Sequence, residues 1–100
     1  MKKRFIVCHQ PGTKDQDDAF KNWLNSREVG WWHWISGSWV VIDLSGALTV
    51  DEIRDNVQAS YVDKYCMVFE HDSNRYAGAG PNDDAQRKRM GDWIANNWKS

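Results

Sequence analysis

Apolar and polar positions change their period along this chain, and each change marks an element. Residues 3–9, KRFIVCH, set Phe5 and Val7 against Ile6 and Cys8, so both sides suit a buried strand. Pro11-Gly12 ends that strand and opens a polar loop. From about Asp17 to Glu28 the apolar positions are Ala19, Phe20, Trp23 and Leu24, which share one face of a helix. Asp15 to Asp18 offer acceptors and negative charge to the free amides at its start, and Gly30 offers a stop.

The next stretch, GWWHWISGSWVVIDL over residues 30–44, reads as a hairpin of aromatic and β-branched residues about Gly37. A two-residue turn at Gly37-Ser38 sets Ile35 opposite Val40, His33 opposite Ile42 and Trp31 opposite Leu44. Trp31, His33, Ile35, Val40, Ile42 and Leu44 then face the core. Trp32, Trp34, Ser36, Trp39, Val41 and Asp43 face the other way. A three-residue turn over Ser36 to Ser38 would regroup them; the two-residue turn separates the aliphatic residues best.

Leu48-Thr49-Val50-Asp51-Glu52-Ile53 has the spacing of a capping box at Thr49 and Glu52 and of a hydrophobic staple at Leu48 and Ile53. Ile53, Val57 and Tyr61 continue the inward stripe. Tyr65 to Glu70 reads as a fourth strand, apolar on both sides. A turn-rich loop over residues 71–82 contains Gly78-Ala79-Gly80-Pro81, and a last helix from about Asp83 carries Met90, Ile94 and Trp98 at helical spacing. The order predicts one α+β domain over residues 1–100: a ferredoxin-like βαββαβ sandwich, with a four-stranded antiparallel sheet, two helices on one face and a C-terminal helix.

In that fold the two crossover helices leave the second sheet face bare, and the hairpin puts Trp32, Trp34 and Trp39 there. Leaving such rings in water forgoes roughly 1.5–3 kcal/mol for each large apolar side chain. The third helix, a second subunit or a ligand is expected to cover them. Four of the chain's seven tryptophans lie in this hairpin, so its faces decide the functional reading.

Composition narrows the partners. A net charge of −1 gives no global pull toward DNA or anionic membrane. The basic runs Lys2-Lys3-Arg4 and Arg87-Lys88-Arg89 are offset by Asp15/Asp17/Asp18 and Asp83/Asp84. Cys8 and Cys66 are too few for a disulfide framework or a structural zinc site and read as a reduced pair in neighbouring strands. With no apolar stretch of signal or membrane-span length, a cytoplasmic location is expected.

The series Gly30, Trp31, Trp32, His33, then Ser36 or Ser38 with Trp39, then Ile53-Arg54-Asp55, resembles the small bacterial and phage proteins grouped as the "SinR family", over roughly residues 3–98. That family is in turn similar in fold to the small nuclease-like subunit of the CRISPR spacer-acquisition complex, a ferredoxin-like homodimer. The resemblance implies a homodimer and, through its phage members, sequestration of a bacterial immune signal in the host cytoplasm. The nuclease-like proteins place an aspartate at the end of the first strand, where this chain has Cys8-His9-Gln10.

Tryptophans on a sheet face can stack bases with little regard for sequence. A nucleotide, cyclic oligonucleotide or short nucleic acid needs fewer cations than a long one. The binding residues expected are Trp32, Trp34, Trp39 and His33, with Arg54, Lys64 or Arg75 for phosphate. A core-facing His33 must find a partner, and a Ser36 or Ser38 hydroxyl or a strand carbonyl would serve. No catalytic residue, metal ligand or cofactor follows from spacing, which favours a binder over an enzyme. Two rivals remain: a divergent metal-dependent nuclease using Asp43, Glu70 or Asp72 with His9 and His71, and a protein-directed inhibitor using the tryptophan face.

Overall fold

The computed structural model describes residues 2–79 and 84–98; the glycine–proline end of the last loop and the expected helix start at Asp83 lie outside them. The chain runs β1 (Lys3–His9), α1 (Lys14–Ser26), β2 (Gly30–Ile35), β3 (Ser38–Asp43), α2 (Val50–Ser60), β4 (Cys66–His71) and α3 (Asp84–Trp93), the last continued by a wider π-type turn over Ile94–Trp98. The sheet order is β2-β3-β1-β4 with every neighbouring pair antiparallel. This is the ferredoxin-like arrangement with an added C-terminal helix.

Local chemistry sets the helix ends. α1 starts at Lys14, ahead of the expected Asp17, because Thr13 and Gln16 cap each other: Gln16 N–H donates to Thr13 Oγ1 at 3.2 Å, and Thr13 N–H donates to Gln16 Oε1 at 2.9 Å. It ends at Ser26, and Glu28 makes the left-handed exit at φ 56°, which leaves Gly30 free to begin β2 instead of stopping the helix. α2 starts as expected: Glu52 N–H donates to Thr49 Oγ1 at 3.2 Å, with Leu48 and Ile53 buried on either side of the cap.

The hairpin register differs from the expected one. Ile35 pairs with Ser38, so the turn is Ser36-Gly37, with Gly37 at φ 77°. A side chain at Gly37 would collide with the His9 carbonyl, because the turn folds over the end of β1. β2 also bulges between Trp32 and Ile35. Trp31 pairs with Val41 and Trp32 with Val40, so Trp39 and Val41 move to the helix side, while Val40 and Ile42 take the opposite face. Ile35 and Leu44, expected inside, are exposed.

The sheet therefore separates two apolar clusters. On the helix side Phe5, Val7, Trp39 and Val41 meet Phe20, Leu24, Ile53, Val57 and Tyr61. On the other, Ile42 packs with Ile94 and Trp98, flanked by Ile6, Val40, Met90 and Trp93. The C-terminal helix is thus the roof over part of the second face; Trp32, on that face and 7% exposed, lines a cavity with Met90, Ile94 and Trp98. The β4 share of that face stays open, with Met67 and Phe69 in water. Cys8 pairs with Met67 and Cys66 with His9, so the two free thiols leave opposite faces of the sheet. Among the described residues no helix is long and apolar enough to cross a membrane.

Candidate functional site

The corrected register splits the expected site residues into two groups. Trp39 and His33 enter an internal network behind β1. Their rings stack at 3.7 Å between centroids and 5° between planes. Trp39 Nε1–H donates to His9 Nε2 at 2.8 Å, while His9 Nδ1 lies 2.7 Å from the Gln10 carbonyl. His9 is therefore a neutral imidazole, donating from Nδ1 and accepting at Nε2. It stacks on Tyr61 at 3.8 Å, and the Tyr61 hydroxyl donates to Asp17. His33 finds the strand carbonyl it requires, Ser38 O at 2.7 Å, and its Nε2 lies 3.8 Å from Asp17.

Burial is the main force holding the His9 pKa below its ordinary value; His33 and Lys64 act the same way, against the Gln10 carbonyl and Asp17. Such a group binds its proton more readily in the unfolded chain. Its stabilising effect is complete above about pH 6.5 and declines as the pH falls through that value toward the lower folded pKa. Thermal melts from about pH 8 to 5 are expected to show this decline, with His9→Gln flattening it. Identical profiles for the two proteins would refute the assignment. Burial and the Asp17 hydrogen bond drive the Tyr61 pKa far upward, so its hydroxyl stays protonated and is no general base.

The second group lies along β2, an outer strand of the sheet. Lys21 of α1, Trp31, Trp32, His33 and Trp34 of β2, and Trp93 of α3 line a surface groove of about 330 Å³. Trp31 and His33 lean to the helix side and Trp32 and Trp34 to the other, so the groove straddles the strand edge. Trp31 is fixed by its Nε1–H, which donates to Asn25 Oδ1 at 2.9 Å. Lys21 Nζ stands 5.7 Å over the Trp31 ring and 4.0 Å from Asp18. Trp34 meets Trp32 edge-on at 5.3 Å and is 56% exposed. Trp32 Nε1–H is buried with no acceptor among the described residues. The groove thus offers indole faces for a flat ring and one cation for an anion.

The expected phosphate-binding residues stand apart from this groove. Arg54 on α2 is held by Asp51 and Asp55 at 3.2 and 3.0 Å. Lys64 follows α2 and sits near His9, and Arg75 lies in the loop after β4, its amide donating to Ser73. Three groove residues lie outside the expected set: Trp31, which the expected register turns to the core, Lys21 and Trp93. Lys21 lies one turn before Asn25 on the helix edge that meets β2, and Trp93 lies three residues after Met90, so helical spacing carried a signal for both.

The nuclease constellation is not assembled. Asp43 pairs with Lys3 at one end of β1 and His71 with Arg4, while His9 stands at the other end, about 20 Å away at the strand rise. Asp43 spends its carboxylate on Ser45 and Leu48. Among the described residues no group of three or more His, Cys, Asp or Glu is placed to hold a metal ion. Comparison of the chain with family models, curated proteins and solved structures finds no match.

Proposed function

We propose that this is a small binding protein whose β2-edge groove takes a nucleotide or short nucleic acid. The observation that carries this reading is the convergence of four of the seven tryptophans, with Lys21, on one groove. The base lies against the exposed Trp34 ring, and Lys21 meets the phosphate. Indole stacking gives affinity with little sequence preference, and a single cation suits a short ligand better than a long duplex. On this reading the protein is a homodimer acting in the cytoplasm, and its role is sequestration of a nucleotide-class signal, as the phage proteins it resembles imply.

Titration of mononucleotides, cyclic oligonucleotides and short oligonucleotides is expected to quench tryptophan fluorescence saturably for at least one ligand. Trp34→Ala should weaken that ligand about 5- to 150-fold, the equivalent of roughly 1–3 kcal/mol of stacking. Trp34 is largely outside the fold, so its loss should leave the melting temperature nearly unchanged. A flat response across the whole panel removes the reading.

A further inference from the structure

Among the described residues no strand runs along the outer side of β4. His9 N–H donates toward β3, to Gly37 O at 2.7 Å, and Gln10 N–H donates the other way, to Tyr65 O at 3.1 Å. Alternation from these bonds turns the backbone groups of Tyr65, Met67, Phe69 and His71 toward β1, and those of Cys66, Val68 and Glu70 outward. The β1–β4 pairing is unbroken from Arg4↔His71 to His9↔Cys66, so the outward row is regular. The opposite edge, β2, is interrupted by its bulge. β4 contains no proline or lysine, the residues that commonly guard an exposed edge. Tyr65, Met67 and Phe69 occupy alternate positions beside it, 84%, 60% and 48% exposed. A stripe of that kind on a small protein marks an interaction surface.

We propose that β4 pairs antiparallel with β4 of a second copy about a two-fold axis at Val68, joining two four-stranded sheets into one. Val68 then faces Val68 of the second copy, and Cys66 faces Glu70, so every outward backbone group of the strand is satisfied. Met67 meets Phe69 across the axis on the open face. Just beyond the strand Lys64 meets Asp72, an opposite-charge pair formed twice. A slip of two residues either way leaves one outward residue past the strand end. A slip of one faces outward residues against inward ones. The segment is thus complementary to itself in one register, which selects a second copy as its occupant. This takes up the homodimer of the reading above and gives its seam, apart from the β2 groove.

Analytical ultracentrifugation of the full chain is expected to give twice the 11.7 kDa protomer mass. Glu70→Pro removes an outward N–H without taking a bond from β1, and should give a monomer with an unchanged circular dichroism spectrum. Met67→Cys with Phe69→Cys, in a background of Cys8→Ser and Cys66→Ala, should oxidise to a covalent dimer. That site is a non-hydrogen-bonded pair with Cα atoms about 4.5 Å apart, inside the disulfide range of about 4.4–6.8 Å. A wild-type monomer, a dimer that survives Glu70→Pro, or a cysteine pair that fails to cross-link overturns the proposal; if Glu70→Pro unfolds, the cysteine pair decides. The nucleotide panel, run on the same samples, separates the two readings. A dimer that binds no nucleotide loses the ligand and keeps the seam, and a binding monomer does the reverse.

Discussion

Trp39→Ala is expected to destabilise the protein by about 3–5 kcal/mol, the range for deleting a large buried ring. That is a major share of the roughly 5–15 kcal/mol that holds a domain of this size folded. Trp39 is fully buried. Phe20 meets it edge-on at 4.9 Å, Trp31 tilts against it at 5.6 Å, and His33 lies flat on it. Truncation would open a cavity that rings on both sides cannot close. It would also strip His9 Nε2 of its donor. Trp39→Phe separates the two effects, since it keeps most of the apolar volume and leaves the buried nitrogen unmet, for about 1–3 kcal/mol. Urea unfolding followed by circular dichroism measures both. A Trp39→Ala protein within about 1 kcal/mol of wild type would place the indole outside the core and restore the Gly37-Ser38 turn.

Asp43→Ala should be the next most damaging change among the polar residues. The Asp43 side chain ends β3 by organising the turn that follows: Oδ1 accepts from Ser45 N–H at 3.0 Å and Ser45 Oγ–H at 2.7 Å, and Oδ2 accepts from Leu48 N–H at 2.8 Å. Leu48 is the residue that staples the start of α2, so a loosened turn also loosens a helix. Leaving the buried Leu48 amide unmet costs about 1–3 kcal/mol by itself. Burial pushes the Asp43 pKa up, but the hydrogen bonds from Leu48, Ser45 and Gly46 together outweigh it and bring the value below the usual 3.8. A carboxyl lowered on folding stabilises fully above its unfolded pKa, and that stabilisation is lost as the pH falls through the folded one. The wild-type protein is therefore expected to weaken below about pH 4 more steeply than Asp43→Asn, which keeps the shape without the charge. Parallel acid-unfolding curves would exclude this role.

The sequence disclosed α2 almost to the residue because its signals are local. Thr49, Glu52, Leu48 and Ile53 each act within one turn of the helix start, and nothing distant competes with them. The ferredoxin-like fold was legible for a different reason, since right-handed crossovers leave few topologies for this succession of elements. The hairpin was not, because the outcome depended on contacts far along the chain. Grouping aliphatic residues favoured Gly37-Ser38, whereas the structure buries an imidazole–indole stack and exposes Ile35. The partners that make this stable, His9 and Phe20, are 30 and 19 residues from Trp39 in sequence. The bulge after Trp32 added a further offset with no glycine or proline to announce it. Of the expected binding residues, Trp32, His33 and Trp34 share the groove; Trp39 went to the core because its face hung on that register.

β3 divides two apolar interiors, and its alternate residues belong to different ones: Trp39 and Val41 to the larger, Val40 and Ile42 to the smaller. A one-residue slide would send the indole toward a cluster built around Ile42, Ile94 and Trp98 and leave the large core with a hole. Both compartments must therefore be filled at once for the strand to settle, and each proofreads the other. Substitutions along residues 38–43 should accordingly register as two interleaved series, one sensed through the crossover helices and one through the C-terminal segment.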